Sequence, residues 1–360
     1  KDKIIEKFRL KSRYIINLNF AKRISNFLSQ DDLWIIHNSN LGLNGVLQKI
    51  INERNLKYTS HEFRVRSFDD RKKFENFTPI IISKNKEVLK FEISKNAKQL
   101  VKENDIKKIN FGTNKIISNF ENNYKKNEID NFYFTYPELK NYEKKKIFLL
   151  FSNVLFESRY TMNENHTIFK SLREFISDTI SFFNNSDLKL VIKGHPAELD
   201  NKDKFNENLE TIVKSLPQKN IYLIYGNQIS SYSLMGITNN IIVYDTDMGA
   251  EANFMDKYVI SCGKPRYKDF DITYFPHDRL DYLNTLKNFD FEKNEDMKNK
   301  FKLSKDRSSL FWYFHCLELF KSFPFVYGDS NNQLNKNFKF FFSSECDESI
   351  KNLLFDLIDC

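Results

Sequence analysis

Asp187-Leu188-Lys189-Leu190-Val191-Ile192-Lys193-Gly194-His195-Pro196 opens the stretch that decides the fold, which runs on to Tyr267. Its apolar run breaks at Lys193-Gly194-His195-Pro196. A second run, Ile221-Tyr222-Leu223-Ile224, is followed by the polar pair Ser230-Ser231. A third, Ile241-Ile242-Val243-Tyr244, leads into Asp245-Thr246-Asp247-Met248-Gly249-Ala250-Glu251-Ala252. A fourth, Tyr258-Val259-Ile260, ends at Cys262-Gly263-Lys264-Pro265-Arg266. Each run is short, rich in β-branched or aromatic residues, and shows little alternation. Strands buried on both faces of a parallel sheet read this way. Polar residues and glycines collect at the carboxyl ends of the runs, where open α/β sheets place their ligands.

That placement suggests a phosphorylated ligand. Asp247-Met248-Gly249 stands where a helix from Ala250 through Met255 should begin, and a helix N-terminus attracts phosphate. Gly249 would admit a close approach of the backbone. Glu251, in the first turn, is a candidate for ribose hydroxyls. His195 can donate to a phosphate oxygen from a turn stiffened by Pro196. Ser230 and Ser231 precede another helix, as caps or as phosphate ligands. Taken singly, each has a bland reading as a cap, a dipole-favoured glutamate or a surface histidine. Their order and spacing carry the signal.

These residues resemble a family. Lys189 through Pro196, Ser230-Ser231-Tyr232-Ser233-Leu234, Tyr244 through Ala252 and Gly263-Lys264-Pro265 are similar to the capsule-polysaccharide-synthesis glycosyltransferases, a group that includes the bacterial β-Kdo transferases. The shared pattern is an HP turn, a serine pair before a helix, a small-residue loop ending Gly-x-Glu-Ala, and a GKP-like strand end. Asp245-Thr246-Asp247 departs from it, standing where many relatives carry Ser or Thr. The resemblance implies a GT-B fold and a nucleotide-sugar donor, with CMP-Kdo or a related CMP-sugar as first choice. It implies donor contacts from Lys193, His195, Pro196, Ser230, Ser231, Thr246, Met248, Gly249, Glu251 and Lys264. The expected acceptor is a bacterial surface polysaccharide or glycolipid. A sialyltransferase-like CMP-sugar enzyme, a CDP-alcohol polyol-phosphate transferase and a non-catalytic glycan-assembly subunit stay open as alternatives.

Upstream, Leu33-Trp34-Ile35-Ile36 reads as a strand ending in His37-Asn38-Ser39-Asn40, followed by a helix through Val46 and Ile51. A strand around Tyr58–His61 then ends in Glu62-Phe63-Arg64, completing a β-α-β unit. In the resemblance Asn38, Asn40 and Arg64 face the acceptor. Glu62 is the first candidate for the catalytic carboxylate, with Asp245 and Asp247 as rivals. Residues 67–126 read as largely helical, and 127–146 as a linker. Ile147-Phe148-Leu149-Leu150-Phe151 starts a second α/β domain, and Ser152-Asn153 at its end matches a donor-facing position of the family. Phe169, Leu172, Ile176, Ile180 and Phe183 mark one face of a helix. Leu310–Phe314 begins an aromatic helix, 338–342 is strand-like or membrane-facing, and 350–357 is a closing amphipathic helix. Two Rossmann-like domains facing a cleft are expected, over 1–140 and 141–325, with a closing segment over 326–360.

The chain has 360 residues, 41% of them hydrophobic, enough for two ordinary domains. A net charge of +8 favours anionic partners such as nucleotide sugars, acidic glycans or a phospholipid surface, and does not by itself argue for nucleic acid. The 4 cysteines form no CxxC pair and no Cys/His spacing that suggests zinc. No metal and no cofactor beyond the donor substrate is expected. Asp245-Thr246-Asp247 spells DxD, but it precedes the Gly-x-Glu helix. His166 and His277 read as ordinary loop histidines. No signal peptide or membrane-spanning run is visible, which favours a cytoplasmic protein with peripheral contact at the inner membrane. The chain begins at Lys1 rather than Met, so an upstream piece is expected.

Overall fold

A computed structural model describes residues 34–37, 58–63, 78–83, 86–154, 168–200, 208–226, 228–318 and 321–323. The chain forms two compact units, Lys1–Ser94 with His315–Cys360, and Lys95–Phe314. In the first unit β1 (Trp34–His37) pairs in parallel with β2 (Tyr58–Phe63). Residues 38–57, with Asn38 and Asn40, and Arg64 lie outside the described residues. β3 (Thr78–Ser83) runs antiparallel to β2, and β9 (Lys321–Phe323) antiparallel to β3. The sheet order is therefore β1-β2-β3-β9. β3 corrects the expectation of a helical 67–126. Three successive isoleucines, Ile80–Ile82, follow Pro79 there, and β-branched residues favour a strand.

The second unit opens with four helices: α1 (Lys86–Glu103), which begins upstream of it, α2 (Ile106–Asn123), α3 (Lys126–Thr135) and α4 (Pro137–Lys140). A single 3-10 turn, Lys144–Lys146, leads into β4 (Ile147–Phe151). The expected linker over 127–146 is thus ordered. Phe132 and Leu139 are its buried anchors, and Tyr136-Pro137 restarts the helix with proline in its first turn. The lysine run is also held, Lys145 to Asp290 and Lys146 to Asp187, each at 3.0 Å.

Then follow α5 (Leu172–Asn184), β5 (Lys189–Lys193), α6 (Pro196–Asp200), α7 (Leu209–Lys214), β6 (Ile221–Ile224) and α8 (Ser231–Leu234). β7 (Asn240–Val243), α9 (Met248–Phe254), β8 (Tyr258–Ser261), α10 (Arg279–Lys287), α11 (Glu295–Lys300) and α12 (Lys305–Tyr313) complete the unit. α5 forms where its sequence says it should: Ser171 caps the Glu174 N–H at 3.0 Å, and Leu172, Phe175, Ile176, Thr179, Ile180 and Phe183 bury one stripe.

All five strands are parallel, in the order β6-β5-β4-β7-β8. Adjacent side chains point to opposite faces, and the core divides accordingly. Phe148, Leu150, Leu190, Ile192 and Ile242 meet α5, α7 and α10 on one face. Ile147, Leu149, Phe151, Val191 and Ile241 meet Phe132, Leu139 and Leu234 on the other. The strands are apolar throughout because both faces are covered. The chain starts at central β4, works outward to β6, then returns to β7 beside β4. The order reverses there, so the switch point lies between the carboxyl ends of β4 and β7.

α2 and α12 cross at the backbone. A Cβ added to Gly112 would meet the Ser309 carbonyl oxygen at 1.8 Å, and Thr113 Oγ1 lies 2.8 Å from Ser309 Oγ. Alanine is favoured over glycine in a helix by about 1 kcal/mol, but here the obstacle is another backbone. Gly112→Ala is expected to lower the Tm by roughly 5 °C, from an overpacking cost of about 1–3 kcal/mol. A thermal melt showing an unchanged or higher Tm would refute this crossing.

Candidate active site at the carboxyl ends of the parallel strands

At the switch point Asn153 bridges β4 to β7. Its Nδ2 donates to the Asp245 carbonyl at 2.6 Å, and its Oδ1 accepts the Asp245 N–H at 3.2 Å. The side chain thereby adds one rung to the ladder. Ser152 is buried, its N–H on the Lys193 carbonyl at 3.0 Å and its hydroxyl donating to the Asn153 carbonyl at 2.9 Å. Gly263, after β8, donates to the Tyr244 carbonyl at 2.7 Å. These contacts hold Asp245 at the rim. Burial, with Asp247 next, pushes its carboxyl up to about 7 against the pull of Arg266. Lys264 is exposed beside this group.

The start of α9 does not offer the free N–H groups expected of it. Met248 N–H points at Thr246 Oγ1 (3.4 Å), Gly249 N–H donates to the Thr246 carbonyl (3.1 Å), and Ala250 N–H to the Asp247 carbonyl (3.0 Å). Asp247 sits at the cap position without a side-chain cap bond. Gly249 makes room for another residue, not for a ligand: a Cβ there would lie 2.0 Å from the Tyr267 hydroxyl. Met248 packs against the second core face.

A second group gathers after β5 and β6. Lys193 is 3% exposed, and its ammonium donates to the carbonyls of Tyr225 (3.3 Å) and Gly226. Burial lowers its pKa to about 8, opposed by Glu128. His195 and Pro196 are exposed at the start of α6. The imidazole Nδ1 accepts the Ala197 N–H at 3.1 Å, so the neutral ring carries its proton on Nε2. The outer edge of the residue meets solvent, yet protein behind the ring lowers its pKa, with Lys193 adding to the effect.

A third group is gripped by α2 and α3. Ser230 caps α8 through the Tyr232 N–H at 3.2 Å and gives its own N–H to Glu128 Oε2 at 2.8 Å. Ser231, partly buried, opens that helix. Glu251 is 2% exposed and points at Asn119 of α2, which donates to Oε1 at 3.1 Å. Among the described residues Oε2 is buried without a hydrogen-bond partner, and the Tyr232 hydroxyl lies nearby. Burial pushes the Glu251 carboxyl up to about 7. Asn119, Glu128, Gly226 and Tyr232 escaped the sequence reading as site residues. Only Gly226, a glycine just past an apolar run, carried a local signal.

The structure therefore brings together Ser152, Asn153, Asp245, Thr246 and Asp247, joins Lys193, His195 and Pro196 to them through the Ser152–Lys193 contact, and buries Glu251 behind them. Glu62 lies in β2 opposite Ile81. Among the described residues no three His, Cys, Asp or Glu side chains are grouped to hold a metal, and no helix is long and apolar enough to cross a membrane. Cys262 and Cys316 are buried, and neither is in a disulfide among the described residues.

Comparison with known proteins gives three results. No curated protein matches the chain. Two solved structures from Thermosulfurimonas dismutans resemble it. One is KpsC, beta Kdo 2,7 transferase, with 13% identity over 81% of this chain and 78% of that one, at a TM-score of 0.41. The other is KpsC, beta Kdo 2,4 transferase, with 12% identity over 77% of each chain, at a TM-score of 0.40. The family of capsule polysaccharide biosynthesis proteins matches residues 86–281, a span that takes in α2, α3 and all five parallel strands with every group just described. Because that match covers more than half of the 360 residues, the chain belongs to the capsule polysaccharide biosynthesis protein family.

Proposed function

We propose that this protein is a glycosyltransferase that moves a sugar from a nucleotide donor to a bacterial capsular polysaccharide or glycolipid. One observation carries the reading: the family match spans the doubly wound sheet whose switch point gathers Asn153, Asp245 and the His195 turn. Sheets of this kind take nucleotides at that point. CMP-Kdo or a related CMP-sugar is the first-choice donor, from the sequence resemblance. The reading includes a GT-B architecture, acceptor-side groups from the N-terminal unit, and metal-independent chemistry. His195 donates its Nε2–H to a donor phosphate. Lys264, exposed beside the Asp245 rim, supplies charge.

A donor screen tests the class. Sugar release from a CMP-sugar, undiminished by excess chelator, is the expected result. Alcohol-phosphate release from CDP-glycerol would make the protein a polyol-phosphate transferase, and no turnover a non-catalytic subunit. Restoration by Mg²⁺ of activity lost to chelator would bring Asp245 and Asp247 in as ligands. His195→Ala is expected to weaken CMP binding about tenfold or more, the loss of one hydrogen bond to a charged group. Equal affinity in titration calorimetry would remove His195 from the site.

For the acid–base step, Asp245 is the better-supported carboxylate, because a group near 7 can both hold and release a proton at neutral pH. Glu62 is the rival. Asp245→Asn is expected to reduce turnover by about 10²-fold or more and to erase a pH–rate inflection near 7, while Glu62→Gln leaves both in place. The reverse result would move catalysis to Glu62. Stability follows the same group. Its folded pKa is raised above the unfolded value of 3.8, so its contribution is full below about 4 and is lost as pH rises through about 7. Asp245→Asn should flatten that part of the stability profile, and a pH-dependent unfolding curve identical to the parent's would contradict the raised carboxyl.

A further inference from the structure

Lys193 sits where a phosphate-binding lysine is expected, yet it does not reach out. Charged side chains are almost never fully buried unless paired. Among the described residues no carboxylate pairs with this one, and Glu128 acts on it only at longer range. Its ammonium instead donates to the Tyr225 carbonyl at 3.3 Å and to the Gly226 carbonyl, both in the loop after β6. Gly226 in turn lies flat against the turn after β5. A Cβ built on it would meet Pro196 Cα at 2.4 Å, Pro196 N at 2.6 Å and the His195 carbonyl carbon at 2.9 Å. Gly194 N–H closes the stack, donating to the Ile224 carbonyl at 2.9 Å.

We propose that Lys193 is a positioning residue for anion recognition: its ammonium draws the loop after β6 beneath the His195–Pro196 peptide and fixes the imidazole with Nε2–H outward. Lys193 touches no ligand. The inference rests on reading His195 as the phosphate-facing group. With Nδ1 taken by the Ala197 N–H, the neutral ring has one donor left. Loss of solvent opposes a positive charge on the ring, and the nearby lysine works in the same direction. The charged and titratable groups around the ring are Lys193 from β5, Glu198 from α6, Glu210 from α7 and Tyr225 from the loop, with Glu128 of α3 acting on Lys193. The site therefore recognises its anion through an uncharged, aimed donor.

The test uses the full chain with Lys193→Met, which removes charge and donor, and Lys193→Gln, which removes charge and keeps a donor. Two quantities are read: the His195 imidazole titration by NMR without ligand, and affinity for CMP. In both variants the ring is expected to titrate at higher pH than in the parent. CMP is expected to bind about tenfold more weakly to Lys193→Met, the scale of one lost hydrogen bond to a charged group, and less weakly to Lys193→Gln. A His195 titration unchanged in both variants overturns the proposal, even where affinity falls, because that pattern belongs to a direct ligand. A parent chain that binds no CMP, with the titration shift present, overturns the nucleotide reading and supports the positioning role. Should both lysine variants fail to fold, Gly226→Ala presses on Pro196 from the other side with Lys193 intact. A moved Ala197 amide resonance and a shifted His195 titration there support the stack, and unmoved signals overturn it.

Discussion

The bridge from Asn153 to Asp245 is the constraint on which the site's geometry depends. Where a doubly wound sheet reverses, two neighbouring strands leave in opposite directions and their last backbone groups lose ladder partners. Buried backbone groups must nonetheless be paired. Asn153 meets that requirement with one side chain, because a carboxamide carries a donor and an acceptor side by side. Its bonds to the Asp245 carbonyl and N–H close the floor of the crevice. An aspartate of the same shape would lack the donor and set a carboxylate against a carbonyl. From that floor the rest follows. Asp245 stands at the rim, Gly263 tucks under the Tyr244 carbonyl, and Tyr267 fills the notch at Gly249.

Helices α2 and α3 complete the site rather than lead up to it. Asn119 reaches across 132 residues to Glu251, and Glu128 across 102 to the Ser230 N–H. Removing one partner of a buried polar group costs its desolvation, about 1–3 kcal/mol and more for a charged one. The stakes are therefore higher at Asn119 than at a surface ion pair such as that of Lys108 in α2 with Glu103 at the end of α1, which is worth at most about 1 kcal/mol. That the family match begins at residue 86 agrees with helices that form part of the site.

The parallel sheet was legible because burial on both faces leaves a local mark. Ile147–Phe151 and Ile221–Ile224 are strands over the very residues that read as apolar runs, and the other three differ by a residue or two at their ends. What was not legible is what depends on distant residues. The α9 segment reads as an open helix start, and only the fold shows that Thr246 and Asp247 consume its donors. Gly249 reads as a gap for a ligand, and only Tyr267 packed into it shows otherwise. Residues 127–146 read as a linker because their apolar positions are aromatic and their charges dense. Phe132 and Leu139 bury only when the second face of the sheet is present. β3 was hidden by a proline at its second position, although Ile80–Ile82 carried the strand signal.

The four titrating groups at the strand ends have one cause in common. Asp245 and Glu251 are pushed up, Lys193 and His195 down, and in each case loss of solvent is the largest contribution. It outweighs Arg266 at Asp245, Tyr232, Asn119 and Lys115 at Glu251, and Glu128 at Lys193. The local partners therefore trim the result without setting it. A site built from ion pairs would show the opposite signs, with carboxyls lowered and lysines raised, as the surface pair of Asp187 and Lys146 does. Asp245, Glu251 and Lys193 are thereby held near the point where a proton is easily gained or lost, and loss of solvent is the cause. Exclusion of water also strengthens any hydrogen bond formed there. In the proposed reading the His195 Nε2–H, as a single aimed donor, discriminates an anion where a solvated lysine would only attract it.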